Sequence, residues 1–153
     1  MSFRSWFTRS LGRTREGTKA HLLATAELLG CSKEVLLAMH QADDERCEEL
    51  LVEHISIACG GTADWKEHHQ DIMATLAEFL TPDDVANLRA ANIADAERPP
   101  EALLKMDKAL AQSVNGIRGL ESFGDFYIVL VMRRDLLPRF DEVNRHWLAA
   151  SEA

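Results

Sequence analysis

Apolar residues recur at three- and four-residue spacing through most of the chain; after Asn115-Gly116 the period changes, and residues 126–132 are apolar or aromatic at every position. The first pattern predicts helices; the second predicts strands, one of them buried on both faces. Leu22, Leu23, Ala26 and Leu29 share one side of a helix predicted over residues 18–29, with Gly30 as its stop. Ser32 caps a second helix, whose stripe is Val35, Leu36 and Met39. A third begins at Asp43 or Asp44, carries Cys47, Leu50, Leu51, His54, Ile55 and Ala58, and ends at Gly60-Gly61.

Asp64-Trp65-Lys66-Glu67 has the form of a capping box, and His69, Ile72, Met73, Leu76 and Leu80 follow at helical spacing. Thr81-Pro82-Asp83-Asp84 is a stronger start signal. Threonine caps, proline takes the first helical position, and two carboxylates meet free backbone amides. That helix carries Val85 and Leu88 toward Ile93 and ends before Arg98. Pro99-Pro100 open the next, with Leu103, Leu104, Met106 and Leu110 as its apolar set.

Residues 117–121 read as a short strand, and 122–125 as a turn containing Gly124. Residues 126–132, Phe-Tyr-Ile-Val-Leu-Val-Met, form the clearest strand in the chain. Asp135 is expected to cap a last helix with Pro138 in its first turn and Leu136, Phe140, Val143 and Trp147 as its buried stripe. A strand covered on both faces normally has a neighbour on each edge, yet the pattern supplies only one partner. Residues 55–59 could be a third strand rather than a helix end. Otherwise the edge is covered by the N-terminal segment, or by a second copy in a homodimer. The expected fold is a mostly helical α+β domain, with a small antiparallel sheet near the C-terminus and a final amphipathic helix.

Composition narrows the class. At 153 residues, 46% apolar and 27% charged, the chain has the profile of one ordinary domain, with no apolar run long enough to span a bilayer. The net charge of −8 disfavours nucleic acid or an anionic membrane as the main partner. That charge is uneven. Residues 1–19 carry Arg4, Arg9, Arg13, Arg15 and Lys19 against Glu16 alone, so the remainder is still more acidic than the average. Phe3, Trp6, Phe7 and Leu11 stand at helical spacing among those arginines. Residues 1–17 therefore read as a basic amphipathic segment ahead of an acidic domain, 18–153. The segment could dock on that domain, lie on a membrane surface, or serve as a transit peptide. Membrane contact is expected only there.

Cys31, Cys47 and Cys59 are odd in number and match no redox or zinc spacing, so free thiols in a reducing cytoplasm are expected. Asp64, His68 and Asp71 lie at four and three spacing, which on a helix would place them on one face able to hold a divalent cation. Arg133 and Arg134, between the strong strand and the last helix, form a candidate anion site, with Asp135 competing for it. No phosphate loop and no nucleophile elbow occur, and no cofactor is implied.

Gly60-x-x-x-Asp64-Trp65-Lys66-Glu67 leading into a helix, and Gly124 to Val131 followed by a capped helix, resemble a family of small acidic bacterial proteins. That family is known only as a domain of unknown function. The resemblance covers residues 49–148 or so, implies a bacterial cytoplasmic α/β-type domain, and carries no catalytic residue across.

The leading functional expectation is a non-catalytic interaction protein, an acidic partner or immunity-type antagonist of a basic protein. Asp43, Asp44, Glu45, Glu48, Glu49 and Glu53 would form its surface. The alternatives are a small metal-dependent hydrolase using Asp64, His68 and Asp71, or a peripheral membrane protein attached through Phe3, Trp6 and Phe7.

Overall fold

The computed structural model describes residues 18–149. The basic segment 1–17, with Phe3, Trp6 and Phe7, lies outside the described residues. Seven α-helices and a three-stranded antiparallel sheet make up the described chain, so the fold is α+β.

Local chemistry sets a boundary of each of the first three helices. Helix α1 (Thr18–Leu28) stops at Gly30, whose φ of +73° suits glycine and lets the Cys31 N–H reach back to the Ala26 carbonyl. Helix α2 (Lys33–Gln41) begins at Ser32, whose hydroxyl accepts the Val35 N–H at 3.2 Å. Helix α3 (Asp44–Ala58) begins at Asp43, whose carboxylate accepts the Arg46 N–H at 2.8 Å.

Strand β1 (Gly60–Asp64) follows directly. Residues 55–59 are thus the end of α3 and its cap, and the third strand is the stretch the sequence pattern assigns to a helix stop and a capping box. Its burial comes from backbone proximity rather than from alternating apolar side chains. A Cβ on Gly60 would lie 2.0 Å from the Val129 carbonyl oxygen, so only glycine admits this approach.

Helices α4 (His69–Ala77), α5 (Pro82–Ala90) and α6 (Pro99–Ala109) come next, and α5 opens on the expected Thr81/Asp84 capping box. Strands β2 (Asn115–Glu121) and β3 (Phe126–Arg133) form a hairpin. A 3₁₀ turn (Arg134–Leu136) and helix α7 (Leu137–Val143) close the described chain. Asp135 does not cap α7. It lies inside the 3₁₀ turn and pairs with Arg133, and α7 has no side-chain cap.

The strand order is β1-β3-β2, with Gly60 opposite Leu130 and Asn115 opposite Arg133. Both edges of β3 are therefore filled from within the chain. The uncovered edge that suggested a homodimer is occupied by β1. The outer edge of β2 is covered in turn: Glu121 N–H donates to the Trp147 carbonyl at 2.7 Å, and Ala149 N–H to that of Gly119 at 2.8 Å.

Alternation along β3 divides the core. Ile128, Leu130 and Met132 face a layer built from α1, α2, α3 and α7, with Leu22, Met39, Leu51, Ile55 and Phe140 fully buried there. Tyr127, Val129 and Val131 face α4, α5 and α6, against Ile72, Leu76, Leu88 and Met106. The two-sided burial read from the sequence is thus real, and burying each large apolar side chain contributes about 1.5–3 kcal/mol.

Candidate functional site

The site is assembled at the start of α4. Strand β1 ends at Asp64, and the chain turns through Trp65, Lys66 and Glu67. Asp64 Oδ1 accepts the Lys66 N–H at 2.9 Å, while Glu67 Oε2 accepts the Asp64 N–H at 3.2 Å. Only half of a capping box is made, the Glu67 carboxylate on the Asp64 amide, since Asp64 takes the Lys66 rather than the Glu67 N–H, and it closes a turn rather than a helix. Burial pushes the Glu67 carboxyl above its ordinary range, with Asp71 and Asp64 adding to the effect and the Asp64 backbone bond opposing it.

His68 is the cap instead: its Nδ1 accepts the Gln70 N–H at 3.3 Å. His69 is the first helical residue and is buried. Asp95 arrives from the connection between α5 and α6, which turns at Asn92 with a left-handed φ of 53°. Its Oδ1 lies 3.3 Å from His68 Nε2 and 3.2 Å from His69 Nε2. The two imidazoles stack at 4.5 Å between centroids, inclined by 30°.

The bonding fixes the protons. Because His68 Nδ1 accepts from a backbone amide, a neutral ring carries its hydrogen on Nε2, which donates to Asp95. His69 donates to the same oxygen from Nε2, and its Nδ1 is buried without a hydrogen-bond partner. The carboxylate thus ties the α5–α6 connection to the start of α4.

The same three atoms suit a cation. They lie within 4.8 Å of one another. A tetrahedral ion with bonds near 2.0–2.2 Å needs ligand separations of about 3.3–3.6 Å, close to the two carboxylate–imidazole distances here. Loading the site has a cost. Each proton must move from Nε2 to Nδ1, which gives up the Gln70 bond and leaves a buried N–H on His69 unsatisfied.

Beside the cluster, a pocket of about 530 Å³ opens between α4 and α5. His69 and Asp95 line it, Met73, Ala77, Val85, Leu88 and Ile93 supply its apolar surface, and Arg89 lines it as a cation.

The other candidate residues are dispersed. Asp64 sits on β1, so it shares no helix face with His68 and Asp71; Asp71 is exposed on α4 and outside the cluster. On α3 the acidic set splits. Asp43 is committed to the cap, Glu49 and Glu53 hold Arg46 at 2.9 and 3.3 Å, and Asp44 and Glu45 are exposed. Glu48 is buried, and both its oxygens accept the Phe123 N–H, at 3.1 and 3.2 Å. It therefore belongs to the interior, not to an interaction surface.

Arg133 is exposed and paired with Asp135. Arg134 donates to Asp107 at 3.1 Å and to the Leu110 and Asn115 carbonyls at 2.9 and 3.1 Å. Its guanidinium closes the end of α6 and the start of β2, which leaves little of it for an anion. Arg118 is held between Asp107 and Asp141, each at 2.8 Å.

Asp95 carries no local signal: it stands 26 residues from His69 in a connection without a motif. The two stretches behind the family resemblance lie side by side, since residues of β1 pair with those of β3. Comparison with family models, with curated proteins and with solved structures finds no match to this chain. No helix among the described residues is long and apolar enough to cross a membrane.

Proposed function

We propose that the protein binds a divalent transition-metal ion through His68, His69 and Asp95. The observation that supports this is the convergence of two imidazole nitrogens and one carboxylate oxygen from two separate segments. Imidazole and carboxylate together suit zinc and its neighbours, and three protein ligands leave positions for water or a substrate. Hydrolysis by metal-activated water is the chemistry such a site offers. The proton shifts described above make the affinity modest, because binding must offset the lost cap bond. The three free thiols fit a reducing, cytoplasmic setting.

The test is thermal unfolding and elemental analysis of purified protein with zinc, manganese and nickel. At a hundredfold excess over the dissociation constant, binding adds about 2.7 kcal/mol. Asp95→Ala, an exposed change, should abolish the shift, while Asp64→Asn and Asp71→Asn should preserve it. Absence of any shift in the unaltered protein would overturn the reading, as would a shift that survives Asp95→Ala.

A second reading, an acidic surface for a basic partner, is favoured by Asp44, Glu45, Glu49 and Glu53. All four are exposed on α3, with Arg46 as the cation paired among them. Glu45→Lys with Glu49→Lys should then abolish a salt-sensitive association of the protein in its native lysate. A partner retained equally by both forms would refute it.

A further inference from the structure

The pocket between α4 and α5 is a site in its own right, and it does not depend on a metal. Its two walls are helix faces: His69, Met73 and Ala77 recur at four-residue spacing on α4, and Val85, Leu88, Arg89 and Asn92 at three and four along α5 and its end. From His69 to Ala77 the α4 wall runs about 12 Å. Six of the eleven lining residues are aliphatic or methionine, and at about 530 Å³ the volume falls in the range of small-molecule sites.

Charge selects the occupant. Arg46, Arg118, Arg133, Arg134 and Arg139 all pair with carboxylates. Arg89 lines the pocket, is exposed, and makes no hydrogen bond or ion pair among the described residues. Asp95, which also lines the pocket, is anionic but already accepts from both histidines. A ligand anion is therefore attracted to Arg89 and repelled by Asp95, which sets where its charged group sits.

From this we infer that the pocket binds a small carboxylate with an apolar body, its acid group at Arg89 and its chain along Met73, Ala77 and Leu88. A positively charged amphiphile of the same length is repelled by Arg89, and Asp95, the carboxylate among the lining residues, is already held by two histidines.

The experiment titrates ¹⁵N-labelled, chelator-treated protein with octanoate, and in parallel with octanol and octylamine. Octanoate should give saturable amide shifts confined to α4, α5 and the connection after α5, with octanol weaker and octylamine weakest. Arg89→Gln should weaken octanoate by about three- to tenfold while leaving octanol unchanged, the size of effect expected of one partly exposed ion pair. Ala74→Trp, which adds bulk at an exposed point of the wall, should abolish binding of both while the rest of the spectrum stays unchanged. No saturable shifts with octanoate, shifts elsewhere in the protein, or equal binding of octylamine would each overturn the proposal. Because no metal is present, failure here leaves the His68–His69–Asp95 reading to its own test.

Discussion

The two layers that cover β3 are built to different standards. On the α1–α3 and α7 side, polar groups are tied across the interior. His21 Nδ1 meets Asn144 Oδ1 at 2.8 Å, Asn144 Nδ2 donates to Thr25 Oγ1 at 2.9 Å, and the His21 ring stacks on Trp147 at 4.1 Å. On the α4–α6 side, three ligating atoms converge at the surface and a pocket of about 530 Å³ is left between two helices. Each layer also holds an imidazole nitrogen without a partner, His54 Nε2 on the first and His69 Nδ1 on the second. What separates them is space. One layer is filled and cross-linked, apart from a pocket of about 510 Å³ that it shares with α6 and β2 beside α7, and this fixes the sheet; the other keeps volume together with convergent ligands, which is what a binding site requires.

The sharpest way to break that comparison is truncation on each side. Phe140→Ala removes a fully buried ring from the filled layer and should cost about 3–5 kcal/mol. Met73→Ala, on the pocket wall, should cost less than about 1.5 kcal/mol, because its neighbours already border open volume. Urea denaturation decides it: equal costs would mean that the pocket side is packed as tightly as the other.

Next in size is the inward carboxylate. Glu48→Ala should cost about 1–3 kcal/mol by leaving the Phe123 amide without its acceptor, whereas Glu45→Ala, exposed on the same helix, should stay within about 0.5 kcal/mol. A neutral Glu48→Ala would remove the link between α3 and the β2–β3 turn from the account.

A smaller effect lies on the other layer. Burial raises the Asp84 pKa, but bonds from Ser113, Asn115 and Thr81 outweigh it and hold the group below its ordinary 3.8. Its contribution is therefore fully present above about pH 4 and is lost as pH falls through the lower folded value. Asp84→Asn should cost about 1–2 kcal/mol at pH 7, and the deficit should shrink in strongly acid solution. A deficit that is constant from pH 7 down to the acid transition would contradict this.

The least effect concerns thiol chemistry. Burial, with Cys31 adding to it, pushes Cys59 up to about 11, and burial also raises Cys31 and Cys47. At pH 8 only about a thousandth of Cys59 is thiolate, so alkylation should be slow until the protein unfolds. Rapid labelling of the folded protein would show that the filled layer opens.

How far the sequence foretells the structure depends on range. The caps at Ser32, Asp43 and Thr81 are legible because each completes its bond within three residues. The two-sided burial of β3 is legible because both of its faces are apolar in the chain itself. β1 is not, since Gly60 and Gly61 contribute backbone and no apolar side chain for a pattern to detect. Asp135 misleads because the helix it should cap starts two residues later, after a 3₁₀ turn. Glu48 carries an unused clue: it stands three before Leu51 and seven before Ile55, on the buried stripe of α3. His68 stands out as one member of a ligand set. Its partners His69 and Asp95 do not, because only tertiary folding brings the connection after α5 to the start of α4.

The position of β3 also bears on how the protein comes to exist. β2 and β3 join through a turn of a few residues, so that hairpin closes at small entropic cost. β1 pairs with the same strand across everything from α4 to β2. During synthesis from the N-terminus, β1 leaves the ribosome with no partner strand yet made, and α1 to α3 wait beside it with their apolar faces uncovered. The sheet, and with it the floor of both layers, can be completed only when the last quarter of the chain has emerged.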